Sequence, residues 1–166
     1  MATPRTPAPE PPVGDSRPGP APTPDLLALD RQVCFALAVA SRRVISLYRP
    51  LLEPMGLTHP QYLVMLALWE GEPLRVNELA DRLSLEPATL SPLLKRLEIG
   101  GLVARRRDPD DERAVAVTLT PAGRRLRLRA ERIPPAVMAR LGIGLSELEE
   151  LRDRLTSVIE AARRES

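Results

Sequence analysis

One cysteine, one histidine and two tyrosines make up most of the redox and proton-transfer chemistry available to this 166-residue chain. Cys34 is either a small apolar packing residue or a redox thiol. With no second cysteine it cannot close an intrachain disulfide. Cys34 and His59 cannot furnish a protein-only zinc site unless carboxylates gather around them, and no acidic cluster adjoins either residue, so no metal is expected. A thiol peroxidase would need an activating Thr or Arg set beside the sulfur, and the segment around Cys34 offers none. Neither a cofactor nor a catalytic residue set is expected, and the chain does not read as an enzyme.

The other chemistry is cationic. Arg105, Arg106 and Arg107 precede the acidic stretch Asp108-Pro109-Asp110-Asp111-Glu112, and Arg113 follows it. The formal net charge is only +2, yet residues 95–132 hold eleven basic against six acidic side chains. Such a local concentration suits a phosphate-binding face. Asp111 is placed to pair with Arg113 or a strand arginine and hold a hairpin, leaving other guanidinium groups for a phosphate or the minor groove. Aromatic residues are scarce, which argues against the stacking platforms used on single strands and RNA.

The elements around these arginines define the architecture. Val76, Leu79, Ala80 and Leu83 recur at helical spacing, Ser84-Leu85 breaks the run, and Leu90, Leu93, Leu94 and Leu97 restart it on a second helix from about Glu86-Pro87. Gly100-Gly101 ends that helix. Two strands follow, the second marked by the alternation of Val115, Val117 and Leu119. The result is a helix-turn-helix with a charged two-stranded wing. Its second helix offers Ala88, Thr89 and Ser91 to base edges or phosphates, with Lys95 and Arg96 further along for the DNA backbone. Pro92 inside this helix should bend it slightly.

Long amphipathic segments flank this unit. Nine prolines in residues 1–24 read as a disordered tail. A first helix is expected from Asp25 to Tyr48, ended or bent by Pro50, with Cys34 about two turns inside it. A second, capped by Thr58 and Gln61, carries Tyr62, Leu63, Leu66 and Trp69 on its apolar side and closes at Gly71. Thr120-Pro121 opens another that reaches Pro134-Pro135, and a last one starts at Ser146 with Glu149 as its capping partner. The fold class is thus mainly α with a small β wing. Residues 25–57 are assigned to dimerisation and sensing, 58–120 to a winged helix-turn-helix domain and 121–166 to C-terminal dimerisation. A two-fold dimer would place its reading helices about 34 Å apart and call for palindromic double-stranded DNA. No apolar run approaches the roughly 20 residues of a membrane span, and no signal peptide is visible, so a cytoplasmic protein is expected.

The string DPDDERAVAVTLTPAG at 108–123 resembles the wing and following helix cap of the MarR family of winged helix-turn-helix regulators. CFALAVASRRVISLYRPLLEPMGLTHPQYLVMLALWE at 34–70 and LSLEPATLSPLLKRLEIGGLV at 83–103 are similar to its organic hydroperoxide sensors, and the likeness covers roughly 28–160. It implies a dimeric repressor whose sensing cysteine, at the position of Cys34, contacts tyrosines of the partner subunit. Tyr48 matches one of these. Along a helix the two lie fourteen residues, about 21 Å, apart, so an in-chain contact would need a broken helix. His59 stands where the family has its second tyrosine and still offers a donor, with pH dependence added. Tyr62, in the same Pro-Gln-Tyr string, is a further candidate, and Ala38 replaces another family tyrosine. The resemblance implies an organic hydroperoxide effector that oxidises Cys34; with no second cysteine in the chain, the next reactant is a low-molecular-weight thiol, another protein or further oxidant. The alternative is a repressor released by a small apolar or phenolic ligand, with Cys34 structural.

Overall fold

The computed structural model describes residues 25–107 and 114–165. The segment 1–24, the wing turn 108–113 with Asp111 and Arg113, and Ser166 lie outside the described residues. The chain divides into two units between Leu37 and Ala38.

The first long helix starts later than the sequence suggests. The Asp25 carboxylate accepts the Leu27 amide at 3.0 Å, a local bond that competes with helix formation. A single 3-10 turn, Leu29–Arg31, follows, and α1 runs Val33–Leu52. Cys34 therefore occupies the first turn of α1 rather than a position two turns inside. Helix α1 also passes through Pro50 in its last turn; Pro50 has no N–H to offer the Ser46 carbonyl one turn back, and both residues are exposed.

From Ala38 onward one core holds the elements together. Helix α2, His59–Glu70, begins at Thr58, whose amide and hydroxyl both donate to Gln61 Oε1, at 2.8 and 2.9 Å. Its core face is Tyr62, Val64, Met65 and Leu68, whereas Leu63 and Leu66 from the expected apolar set are exposed and Trp69 is half-buried. The helix pair is α3, Val76–Leu83, and α4, Pro87–Ile99. Leu79, Leu90, Leu94 and Leu97 are fully buried, each stabilising the fold by about 1.5–3 kcal/mol.

The wing is broader than a hairpin. Strands β2, Val103–Arg107, and β3, Val115–Leu119, pair antiparallel with Val103 opposite Leu119 and Arg107 opposite Val115. A short strand β1, Leu74–Arg75, adds to the far side of β3 and gives the order β1-β3-β2. Two residues carry no readable alternation, which is why the sequence does not announce β1. Next to it, Glu72 accepts the Leu119 amide on one oxygen and Arg124 Nε on the other, at 2.7 Å for the arginine.

Thr120 caps α5, Pro121–Ala130, by accepting the Gly123 amide at 3.0 Å. The double proline that was expected only to interrupt instead opens a helix of its own, α6, Ile133–Leu141, because proline is tolerated in a first turn. Helix α7 spans Leu145–Arg164, and its capping partner is Glu147, which accepts the Gly144 amide at 2.9 Å, rather than Glu149. No residue of α7 is buried, and Leu145, Leu151, Val158 and Ile159 are exposed. Among the described residues no helix is long and apolar enough to cross a membrane.

Gly123 is a position where only glycine fits. A Cβ there would stand 2.1 Å from the Leu102 carbonyl oxygen, whereas one at Gly71 would meet nothing within 4 Å. Gly123→Ala should lower stability by about 3 kcal/mol, a fall in Tm of roughly 6–12 °C. Gly71→Ala should leave the thermal melt near wild type.

Candidate DNA interface and sensor site

The turn between α3 and α4 is set by Ser84, the one described non-glycine residue in the left-handed region, at φ 52°. The Leu85 amide closes it on Ala80 O at 2.9 Å. Helix α4 then buries one leucine stripe and leaves Ala88, Thr89, Ser91, Lys95 and Arg96 exposed. Pro92 is exposed as well, and the helix continues through it. A surface of small and hydroxyl-bearing side chains, backed by two cations, can approach a groove closely.

At its far end α4 stops at Gly100-Gly101. Leu102 N bonds Leu97 O at 3.0 Å and Gly101 adopts φ 68°, which turns the chain straight into β2. Arg105, Arg106 and Arg107 are all exposed, but they are not equivalent. Arg105 donates to Glu98 Oε2 through Nε at 3.0 Å and Nη2 at 2.7 Å. The hydrogen bond from Arg105 holds the Glu98 carboxyl below the usual carboxylate range. Arg105 stands in the same basic run as Arg106 and Arg107, and its partner Glu98 comes from α4. A lone acidic residue in the last turn of a basic helix was the available signal.

Tyr48, His59 and Tyr62 are brought together. The ring centroids of Tyr48 and His59 are 5.1 Å apart in an edge-on arrangement, and Tyr62 lies 6.0 Å from Tyr48. Trp69, 6.3 Å from Tyr62, extends the row, and its indole N–H is tied to Gly123 O at 2.9 Å. Burial pushes the Tyr48 hydroxyl up, and does the same to Tyr62 with a further contribution from Tyr48. Burial also pushes the His59 imidazole down, favouring its neutral form. A cavity of about 510 Å³ borders His59, lined by Ile45, Arg49, Glu53 and Leu57 among others. Cys34 belongs to the unit that ends at Leu37, and its side chain is exposed rather than packed.

A helix pair with an exposed second helix, followed at once by an arginine-bearing wing, defines a winged helix-turn-helix DNA-binding protein. The chain belongs to the MarR family, whose sequence pattern it matches over residues 57–115, and within that family it is closely related to organic hydroperoxide regulators. The organic hydroperoxide resistance transcriptional regulator of Bacillus subtilis (strain 168) is 38% identical over 136 residues, covering 82% of this chain and 92% of that protein. The transcriptional regulator TtmR of Methylorubrum extorquens (strain PA1) is 46% identical over 134 residues, 81% of this chain and 69% of that one. Reduced AbfR bound to DNA, a Staphylococcus epidermidis protein, superposes with a TM-score of 0.71 at 33% identity, covering 82% of this chain and 93% of that one. The protein is accordingly a dimeric DNA-binding repressor and not an enzyme.

His59 gives a titration that can be read directly. Its folded pKa lies below the 6.5 of the free side chain, so between the two values the unfolded chain binds more protons and stability rises with pH. Chemical denaturation should therefore show stability falling as pH drops from about 6.5, and His59→Gln should flatten that part of the profile. The imidazole NMR titration should have its midpoint below 6.5.

Proposed function

We propose that Cys34 is the peroxide-sensing thiol of this repressor and that its oxidation releases a palindromic operator. The observation that carries the reading is the exposure of the sole cysteine in the first turn of α1, in a chain closely related to organic hydroperoxide regulators. The Cys34 thiolate attacks one oxygen of an organic hydroperoxide. The O–O bond breaks, the alkoxide leaves and takes up a proton as the alcohol, and the sulfur is left as sulfenic acid. With no second cysteine in the chain, a low-molecular-weight thiol condenses with the sulfenic acid, forming a mixed disulfide and water.

Tyr48 and His59, with Tyr62 behind them, are the donors proposed to meet the partner subunit's Cys34. The proximity of the three rings supports their acting as one group. Half-buried donors can hold a sulfenate oxygen, and a bulkier mixed disulfide would no longer fit against them. The unburied α7 and the exposed Phe35, Leu37 and Ile45 on α1 are the surfaces proposed for the dimer seam. Displacing that seam alters the spacing of two α4 helices, and affinity for DNA falls by the resulting strain. On the DNA side, Ala88, Thr89 and Ser91 are assigned to the groove, Lys95 and Arg96 to the backbone, and Arg106, Arg107 and Arg113 to wing contacts, with Asp111 shaping the wing turn.

Gel shifts on duplex from upstream of the protein's own gene, with and without cumene hydroperoxide and a small thiol, test this reading. Wild type should lose the duplex with peroxide while Cys34→Ser stays bound, and mass spectrometry should find the adduct on Cys34. Release of Cys34→Ser by the same treatment would sink the proposal, and its release by a small phenol would favour ligand control instead.

A further inference from the structure

We infer that Glu98 and Arg105 form a brace that sets the angle between wing and recognition helix, and that Arg105 is a positioning residue and not a phosphate ligand. The inference rests on α4 and the wing engaging DNA.

Strand β2 is the free edge of the sheet, in the order β1-β3-β2. An edge strand leaves alternate N–H groups without a ladder partner. Glu98 takes the one at Arg105, accepting the amide on Oε1 at 3.2 Å while Oε2 accepts the two guanidinium bonds. A single carboxylate from the last turn of α4 thus grips both the backbone and the side chain of β2. The only covalent path between these points is the turn through Gly100-Gly101, two residues with the widest backbone freedom. Leu102 N on Leu97 O secures the root of this turn, and β1 holds β3 from the opposite side; farther along β2 the brace is the hold on the strand's open edge.

The pairing also has an electrostatic consequence. Glu98 cancels the charge of Arg105, so the pair as a unit contributes little to displacing counterions from DNA, whereas Arg106 and Arg107 keep their charge. Salt bridges at this degree of exposure are weak individually. Here, however, three hydrogen bonds converge on one acceptor group, and the bidentate geometry is one that lysine cannot reproduce.

The two possible roles of Arg105 predict opposite outcomes for the same substitutions. If Arg105 were a phosphate ligand restrained by Glu98, Glu98→Gln would free it, removing a negative charge near DNA, tightening binding and steepening its salt dependence. Arg105→Lys would then be nearly silent. If the pair is a brace, both Glu98→Gln and Arg105→Lys should weaken binding of the full-length dimer to the upstream duplex by about fivefold, with the salt slope unchanged in Arg105→Lys, which keeps the charge. Arg106→Gln or Arg107→Gln should instead make the slope shallower by about 1. Tighter binding by Glu98→Gln, or an altered slope in Arg105→Lys, overturns the proposal. Amide exchange without DNA reads the brace independently of the reading on which it rests: Glu98→Ala should speed exchange at the Arg105 amide. Unchanged exchange there removes the brace even if the wild type binds DNA normally.

Discussion

The approach of the Leu102 carbonyl to Gly123 is the constraint on which the reading unit depends. Leu102 leaves α4 and starts the wing, and Gly123 lies in the first turn of the helix that leaves the wing. Thr120 stands between them, its amide on Leu102 O at 3.0 Å and its hydroxyl on Gly101 O at 2.6 Å. Entry and exit of the β-sheet are thereby fastened at one point, which a side chain on Gly123 would force apart. Glu72 completes the junction from the other side of β3, holding the Leu119 amide and Arg124 together. Backbone groups that would otherwise be orphaned at the ends of strands and helices find partners here.

The same junction reaches the proposed sensor. Trp69 stands at the end of the row His59, Tyr48, Tyr62 and Trp69, and its indole N–H is held by Gly123 O. A displacement of the aromatic rings by an oxidised partner cysteine would therefore press on the residue that fixes the base of the wing. Packed interiors resist graded deformation, so such a load favours a shift between discrete arrangements. A chain of contacts of this kind is a physical route and becomes a coupling only if both ends bias the same equilibrium.

Helix periodicity, caps and the charged wing were legible because each is a local property of the sequence. Leu79, Leu90, Leu94 and Leu97 bury as their spacing implies, and Thr58 meets Gln61 as the capping pattern requires. What escaped was decided by distant partners. Strand β1 exists because β3 offers it an edge, and Leu74 is buried opposite Val117. Leu63 and Leu66 look like core residues beside Tyr62 until α3 to α5 take the other face of α2. Arg105 looks the same as its two neighbours in sequence and differs only in facing Glu98. The start of α1 was misplaced for a local reason, the Asp25 side chain, that apolar spacing does not register.

Helix α7 keeps none of its residues in the core of its own chain. In proteins a helix draws most of its stability from packing an apolar face, so on the proposal that α7 lies in the dimer seam its order is borrowed from the other subunit and scales with how much protein is present. Dilution would cost the repressor its C-terminal structure before its reading head, and chains made in excess or left unpaired would expose that end first to proteases. On that proposal subunit supply and protein lifetime are linked through one segment, which also reaches the turn of the reading unit through Arg163 and Ser84.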